Sequence, residues 1–146
     1  MRDELRKGLA ATRPFLLSHH APEERDRCHE LNFFSRQIYL CARCSGIYPG
    51  ILLALMYPFQ LASVPVIALL PLPALIDWAI TSFGKTNGSN VIRTVTGVLL
   101  GFGYGMALRR LLLELETRIL IIGVVYATVA ILLIAIERSS EREPTI

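Results

Sequence analysis

Cys41-Ala42-Arg43-Cys44-Ser45-Gly46-Ile47-Tyr48-Pro49-Gly50 leads straight into Ile51-Leu52-Leu53-Ala54-Leu55-Met56, and the chain changes character at Cys44. Upstream, residues 1–44 hold eight of the fifteen Lys and Arg residues. Downstream, residues 45–83 hold no Lys, Arg or Glu and a single Asp. Apolar runs of about 18 or more residues are what a helix needs to cross a hydrocarbon core of about 30 Å. With 146 residues, 53% of them hydrophobic, and a mean hydropathy of +0.48, the chain is too apolar for a soluble domain of its length. The pattern predicts an all-α integral membrane protein: four transmembrane helices preceded by a short N-terminal cytoplasmic Cys/His segment.

Working outward, residues 1–44 form that segment and residues 45–136 a four-helix bundle, with spans at about 45–62, 64–83, 91–113 and 119–136. Residues 137–146 form a polar tail. The link between the first two spans is very short, so they form a tight hairpin with Pro65 in the first turn of the second helix. Pro49, Pro58, Pro71 and Pro73 lie inside these spans and should kink them, which neighbouring helices in a membrane accommodate. If the Pro-rich stretch were re-entrant, the count would fall to three.

Basic residues give the orientation. With the N-terminus inside, twelve Lys and Arg residues lie on the cytoplasmic side, and Arg109, Arg110 and Arg118 lie outside. That bias places both termini in the cytoplasm of a multi-pass cell-membrane protein. The same distribution explains the formal charge of +3 without a nucleic-acid partner, since the basic residues flank apolar spans and face lipid headgroups. Gly46, Gly50 and Ala54 line one face of the first helix, and Gly97, Gly101 and Gly105 one face of the third. Small residues at this spacing let backbones approach in lipid. The first reading is a seam inside one chain, and the second a homodimer seam.

Every Cys and His falls between His19 and Cys44: His19, His20, Cys28, His29, Cys41 and Cys44. The Cys-x-x-Cys spacing suits two ligands of tetrahedral zinc. Cys28 with His29 or His20 would complete a three-sulfur, one-nitrogen set, and Cys41, Cys44, His20 and His29 form a competing one. A short helix over Glu23–Leu31 would carry Cys28 or His29 to the knuckle. Zinc is the expected cofactor, because an iron–sulfur centre would need a fourth cysteine, which only a dimer provides. The rival reading is a thiol–disulfide oxidoreductase coupled to quinone, with Cys44 activated at a helix N-terminus. It requires the oxidising side of the membrane, contrary to the predicted topology, and a second cysteine pair.

Asp77 is the one acidic residue within the first three spans, and charge at membrane depth marks a role. The short loop Gly84–Asn90 could bring it to Arg93 as an ion pair. Asp77, Asn90 and Arg93 also share a membrane face with the Cys/His cluster, Thr94 and Thr96. Together they would hold an anionic or lipid-linked small molecule, or serve as catalytic groups of a metal-dependent enzyme acting on a lipid-linked substrate. Metal transport is a weaker reading, because only Asp77 lies within the spans as a relay ligand.

Cys28-His29 together with Cys41-Ala42-Arg43-Cys44-Ser45-Gly46-Ile47-Tyr48-Pro49-Gly50 resembles a widespread prokaryotic family of small multi-pass membrane proteins of unknown function. The family's Asp near the end of the next span matches Asp77. Its Asn-x-x-Arg-x-x-Thr-Gly stretch matches Asn90, Arg93, Thr96 and Gly97. The likeness covers roughly residues 18–105, although Cys28 and Cys41 are closer together than in many members. Ser18-His19-His20 is similar to archaeal-type relatives, which brings His20 forward as a ligand. The resemblance implies the membrane fold and a shared polar site, and implies no activity.

Overall fold

The computed structural model describes residues 26–33, 36–56, 63–84 and 88–142. Two strands, β1 (Cys28–Phe33) and β2 (Arg36–Cys41), pair antiparallel with Cys28 opposite Cys41. Five helices follow: α1 (Ala42–Met56), α2 (Val64–Leu69), α3 (Leu72–Phe83), α4 (Asn90–Glu114) and α5 (Thr117–Arg142). The molecule is mostly helical, and the all-α expectation is corrected at the hairpin. The helix anticipated over Glu23–Leu31 is replaced by a strand from Cys28. Its Leu31-Asn32-Phe33 pairs with Arg36-Gln37-Ile38, so cross-strand hydrogen bonding outweighs the local helix signal.

Among the described residues, three stretches are long and apolar enough to cross a membrane: Val64–Phe83, Asn90–Glu114 and Thr117–Ser139, with mean hydropathies of 1.8, 1.5 and 3.0. The first expected span, 45–62, begins with α1, whose 15 residues rise only about 22 Å at 1.5 Å per residue. Residues 57–62, including Pro58, lie outside the described residues. Pro49 is carried inside α1 without ending it. The stretch Val64–Phe83 is broken at Leu70–Pro71, where α2 stops and α3 starts with Pro73 in its first turn. A proline there removes a ladder donor and its ring displaces the preceding turn. The last helix continues past Ile136 to Arg142.

The small-residue stripes place the helices. A Cβ added at Gly46 would lie 2.8 Å from the Val98 nitrogen and closer still to the Thr94 carbonyl oxygen. One added at Gly101 would lie 2.8 Å from the Ile47 carbonyl carbon. Gly50 faces Val98 and Phe102, Gly97 faces Arg43, and Gly105 faces Ala54. Residue numbers rise together along this contact, so α1 and α4 run parallel with backbones nearly touching. Each stripe is packed on the other within one chain. The pair α2–α3 returns antiparallel, with Gly103 against Leu70 and Pro71, and Gly88 against Thr81.

Ala54, Ile67, Met106 and Ile119 form a buried cluster at the end of the bundle away from the hairpin. Leu115, at φ 51°, closes α4 with a left-handed residue and turns the chain into α5. That helix keeps most of its apolar surface uncovered; only 6% of its hydrophobic window is buried. Ile121, Val124, Val125 and Ile131 are each more than half exposed. In water such a surface would drive association, whereas in lipid it is the expected outer face.

Candidate functional site

The hairpin is seated on the N-terminal ends of α1 and α4. β2 passes directly into α1 at Cys41–Ala42. From α4, the Asn90 side-chain amide donates to the Asp26 carbonyl at 2.9 Å and the Cys28 carbonyl at 3.1 Å. Thr94 sits where all three elements meet. Its hydroxyl lies 3.0 Å from the Ala42 carbonyl and 2.9 Å from the Asn90 carbonyl, with His29 Nε2 at 2.8 Å. A hydroxyl has one proton to give. With that proton on a carbonyl, Thr94 accepts from His29 Nε2.

This geometry bears on the expected metal ligands. Alternation along β1 places Cys28 and His29 on opposite faces, and His29 is turned onto Thr94. Cys28 and Cys41 are buried and face each other across the hairpin. Cys44, one helical turn further on, hydrogen-bonds Cys41. No disulfide joins any of the three. Among the described residues, no group of three or more His, Cys, Asp or Glu side chains is arranged to hold a metal ion. His19 and His20 lie outside the described residues. Burial, with Cys41 alongside, pushes the Cys44 thiol up to about 11 despite the opposing charge of Arg43.

The ion pair anticipated between Asp77 and Arg93 forms elsewhere. Asp77 accepts from Arg43 Nη2 at 2.5 Å, pairing the carboxylate of α3 with the guanidinium inside Cys-Ala-Arg-Cys. The closely packed α1–α4 seam brings the first turn of α1 beside α3, and that turn carries Arg43. The Nε of Arg43 is buried and has no hydrogen-bond partner among the described residues. Arg93 is 5% exposed, and Nη1 donates to the Asn90 side-chain oxygen at 3.3 Å. Among the described residues no carboxylate forms an ion pair with it.

These groups enclose a cavity of about 330 Å³ beneath the hairpin, walled by Arg27, Cys41, Arg43, Cys44, Trp78 and Arg93, with Ile47 and Thr81 completing it. Among the described residues, three guanidinium side chains and no carboxylate line it. The N-terminal ends of α1 and α4 lie at the same level, and neither has an acidic residue in its first turn to offset the dipole. Thr96 is buried and bonds back to Ile92 and Arg93 within its own helix, away from this wall. Sequence reading singled out Asp77, Asn90 and Arg93 but missed Arg27 and Trp78 as wall residues and Arg43 as the partner of Asp77. The signal for Arg43 was present: a cation at the entry of an apolar helix needs a countercharge, and Asp77 is the one carboxylate in residues 45–83.

Membrane-length helices, a lipid-type outer face and a polar hairpin over an arginine-lined cavity define a small membrane protein with a partly open polar cavity at one end. Within that class, the chain belongs to the DUF2085 family of predicted membrane proteins, whose profile matches residues 24–107. The matched segment takes in the hairpin, α1 to α3 and most of α4, and so the whole cavity wall. No curated protein and no solved structure matches the chain.

Proposed function

We propose that the chain is a multi-pass membrane protein whose hairpin-covered cavity binds an anionic ligand at the cytoplasmic face, with both termini on that side. The observation that carries this reading is Arg93: 5% exposed, with an amide as its hydrogen-bond partner, and lining a cavity shared with Arg27 and Arg43. A desolvated guanidinium without a carboxylate costs several kcal/mol unless an anion offsets it. Guanidinium groups also match phosphate and carboxylate oxygens in bidentate fashion. Asp77 orients Arg43, and Asn90 pins the hairpin while touching Arg93. Both therefore act as positioning residues rather than catalytic groups. Titrating inorganic pyrophosphate into the detergent-purified protein at matched ionic strength should give saturable heat that disappears in Arg93→Gln. Absence of saturable heat in the wild type would overturn the reading.

A second reading rests on the sequence spacing of Cys28, Cys41 and Cys44, whose thiols would have to close around an ion they do not surround among the described residues. Zinc would take Cys28, Cys41 and Cys44, with His20 as the fourth ligand or His29 through Nδ1 after release from Thr94. Bound there, the metal would fix the hairpin to α1. Elemental analysis of purified protein should then return stoichiometric zinc that is lost in Cys44→Ser. Metal-free protein with an oxidised Cys41–Cys44 pair would favour thiol redox chemistry instead.

A further inference from the structure

A second cavity of about 410 Å³ lies in the membrane-facing half of the fold, between α3, α4 and α5. Its walls include Pro71, Ala74, Leu75, Leu100, Ala130 and Ile134, and they are predominantly apolar. The Tyr126 hydroxyl, on the same wall, donates to the Ala68 carbonyl of α2, so the residue presents its ring to the slot. Two residues, Arg43 and Trp78, line both this slot and the arginine-lined cavity. A polar chamber and an apolar slot therefore meet at one Arg–Trp pair, and the Arg43 guanidinium stands between them with its Nε lacking a partner among the described residues.

We infer that the ligand is a phosphate-headgroup lipid, with the phosphate among Arg27, Arg43 and Arg93 and one chain in the slot past Trp78. This rests on the anion reading above and adds that the anion arrives on a hydrocarbon chain. Charge complementarity selects the headgroup, because among the described residues the chamber wall carries three guanidinium groups, and Asp77 offsets only that of Arg43. The slot is shallow and open, and α5, which supplies Tyr126, Ala130 and Ile134 to its wall, leaves most of its apolar window exposed, so a chain can enter laterally without crossing water. An indole at the junction suits the boundary between headgroup and hydrocarbon.

Trp78 is the chain's single tryptophan and serves as the reporter. The full-length protein in phosphatidylcholine nanodiscs is doped with phosphatidic acid or phosphatidylcholine brominated on the acyl chain, at equal mole fraction. Brominated phosphatidic acid should quench Trp78 severalfold more than brominated phosphatidylcholine. The excess should vanish in Ala130→Phe, which fills the slot, and in Arg93→Gln or Arg27→Gln, which weaken the chamber. Ala135→Phe, exposed on the same helix and outside the slot, should retain it. Pyrophosphate binding without excess quenching would overturn the lipid assignment and leave the anion reading standing. Failure of both would overturn both. Excess quenching that survives Ala130→Phe and both arginine variants would reduce the effect to bulk lipid contact and overturn the assignment.

Discussion

Arg43 and Arg93 stand at one end of the bundle, yet Asp77 serves only the first. With 9% of the Asp77 side chain and 25% of the Arg43 side chain exposed, the pair is partly desolvated. Removing one partner of a fully buried pair costs about 3–5 kcal/mol, and the exposure of Arg43 brings the expected loss for Asp77→Asn toward about 2 kcal/mol. Denaturation of Arg43→Gln, Asp77→Asn and the double variant in detergent should give a coupling energy of about 1–2 kcal/mol. The corresponding cycle with Arg93→Gln should be additive within about 0.5 kcal/mol. Strong coupling of Asp77 to Arg93 would restore the pairing expected from loop length. Asp77 and Arg93 were legible as residues because charge inside an apolar run stands out. Their partners were not, because pairing depends on how far α1 advances along α4, and a periodic pattern does not encode that register.

The α1–α4 seam sets this advance, and its glycines are not equivalent to the glycine of α5. Gly46→Ala and Gly101→Ala would force backbone apart from backbone, since the nearest atoms are main chain, at a cost of about 1–3 kcal/mol each. Gly123 has nothing within 4 Å of an added Cβ, so Gly123→Ala should be neutral or stabilising by up to about 1 kcal/mol through helix propensity. Thermal unfolding of the three variants checks the contrast, and a Gly46→Ala protein as stable as the wild type would contradict the seam. At this scale the glycine spacing was readable directly, as were the helical stretches from residue 64 onward and the break near Pro71. The hairpin was not. Cys28–Phe33 has neither clean alternation nor a turn dipeptide, and its strand state comes from pairing with β2 and from Asn90 holding its start.

Taken whole, the molecule alternates direction: α1 one way, α2–α3 back, α4 parallel to α1, and α5 back again. This alternation puts the hairpin and the end of α5 at one end of the bundle, and the proposed topology, drawn from the twelve-to-three division of basic residues, assigns that end to the cytoplasm. Ser63→Cys and Ser139→Cys, both at exposed positions, should react with a membrane-impermeant maleimide from opposite sides. Ser63→Cys should label in intact cells and Ser139→Cys only in inverted vesicles, and labelling of both from one side would refute the arrangement. The positive end that this topology builds is where the anion is proposed to bind. The most direct measurement is a paired melt of the wild type and Arg93→Gln, with and without pyrophosphate at matched ionic strength. Without the anion, Arg93→Gln should melt no lower than the wild type, because it relieves a buried cation. At about a hundred times its dissociation constant, the anion should stabilise the wild type by about 2.7 kcal/mol and leave the variant unmoved. A wild type indifferent to the anion, or equal shifts in both proteins, would contradict the account.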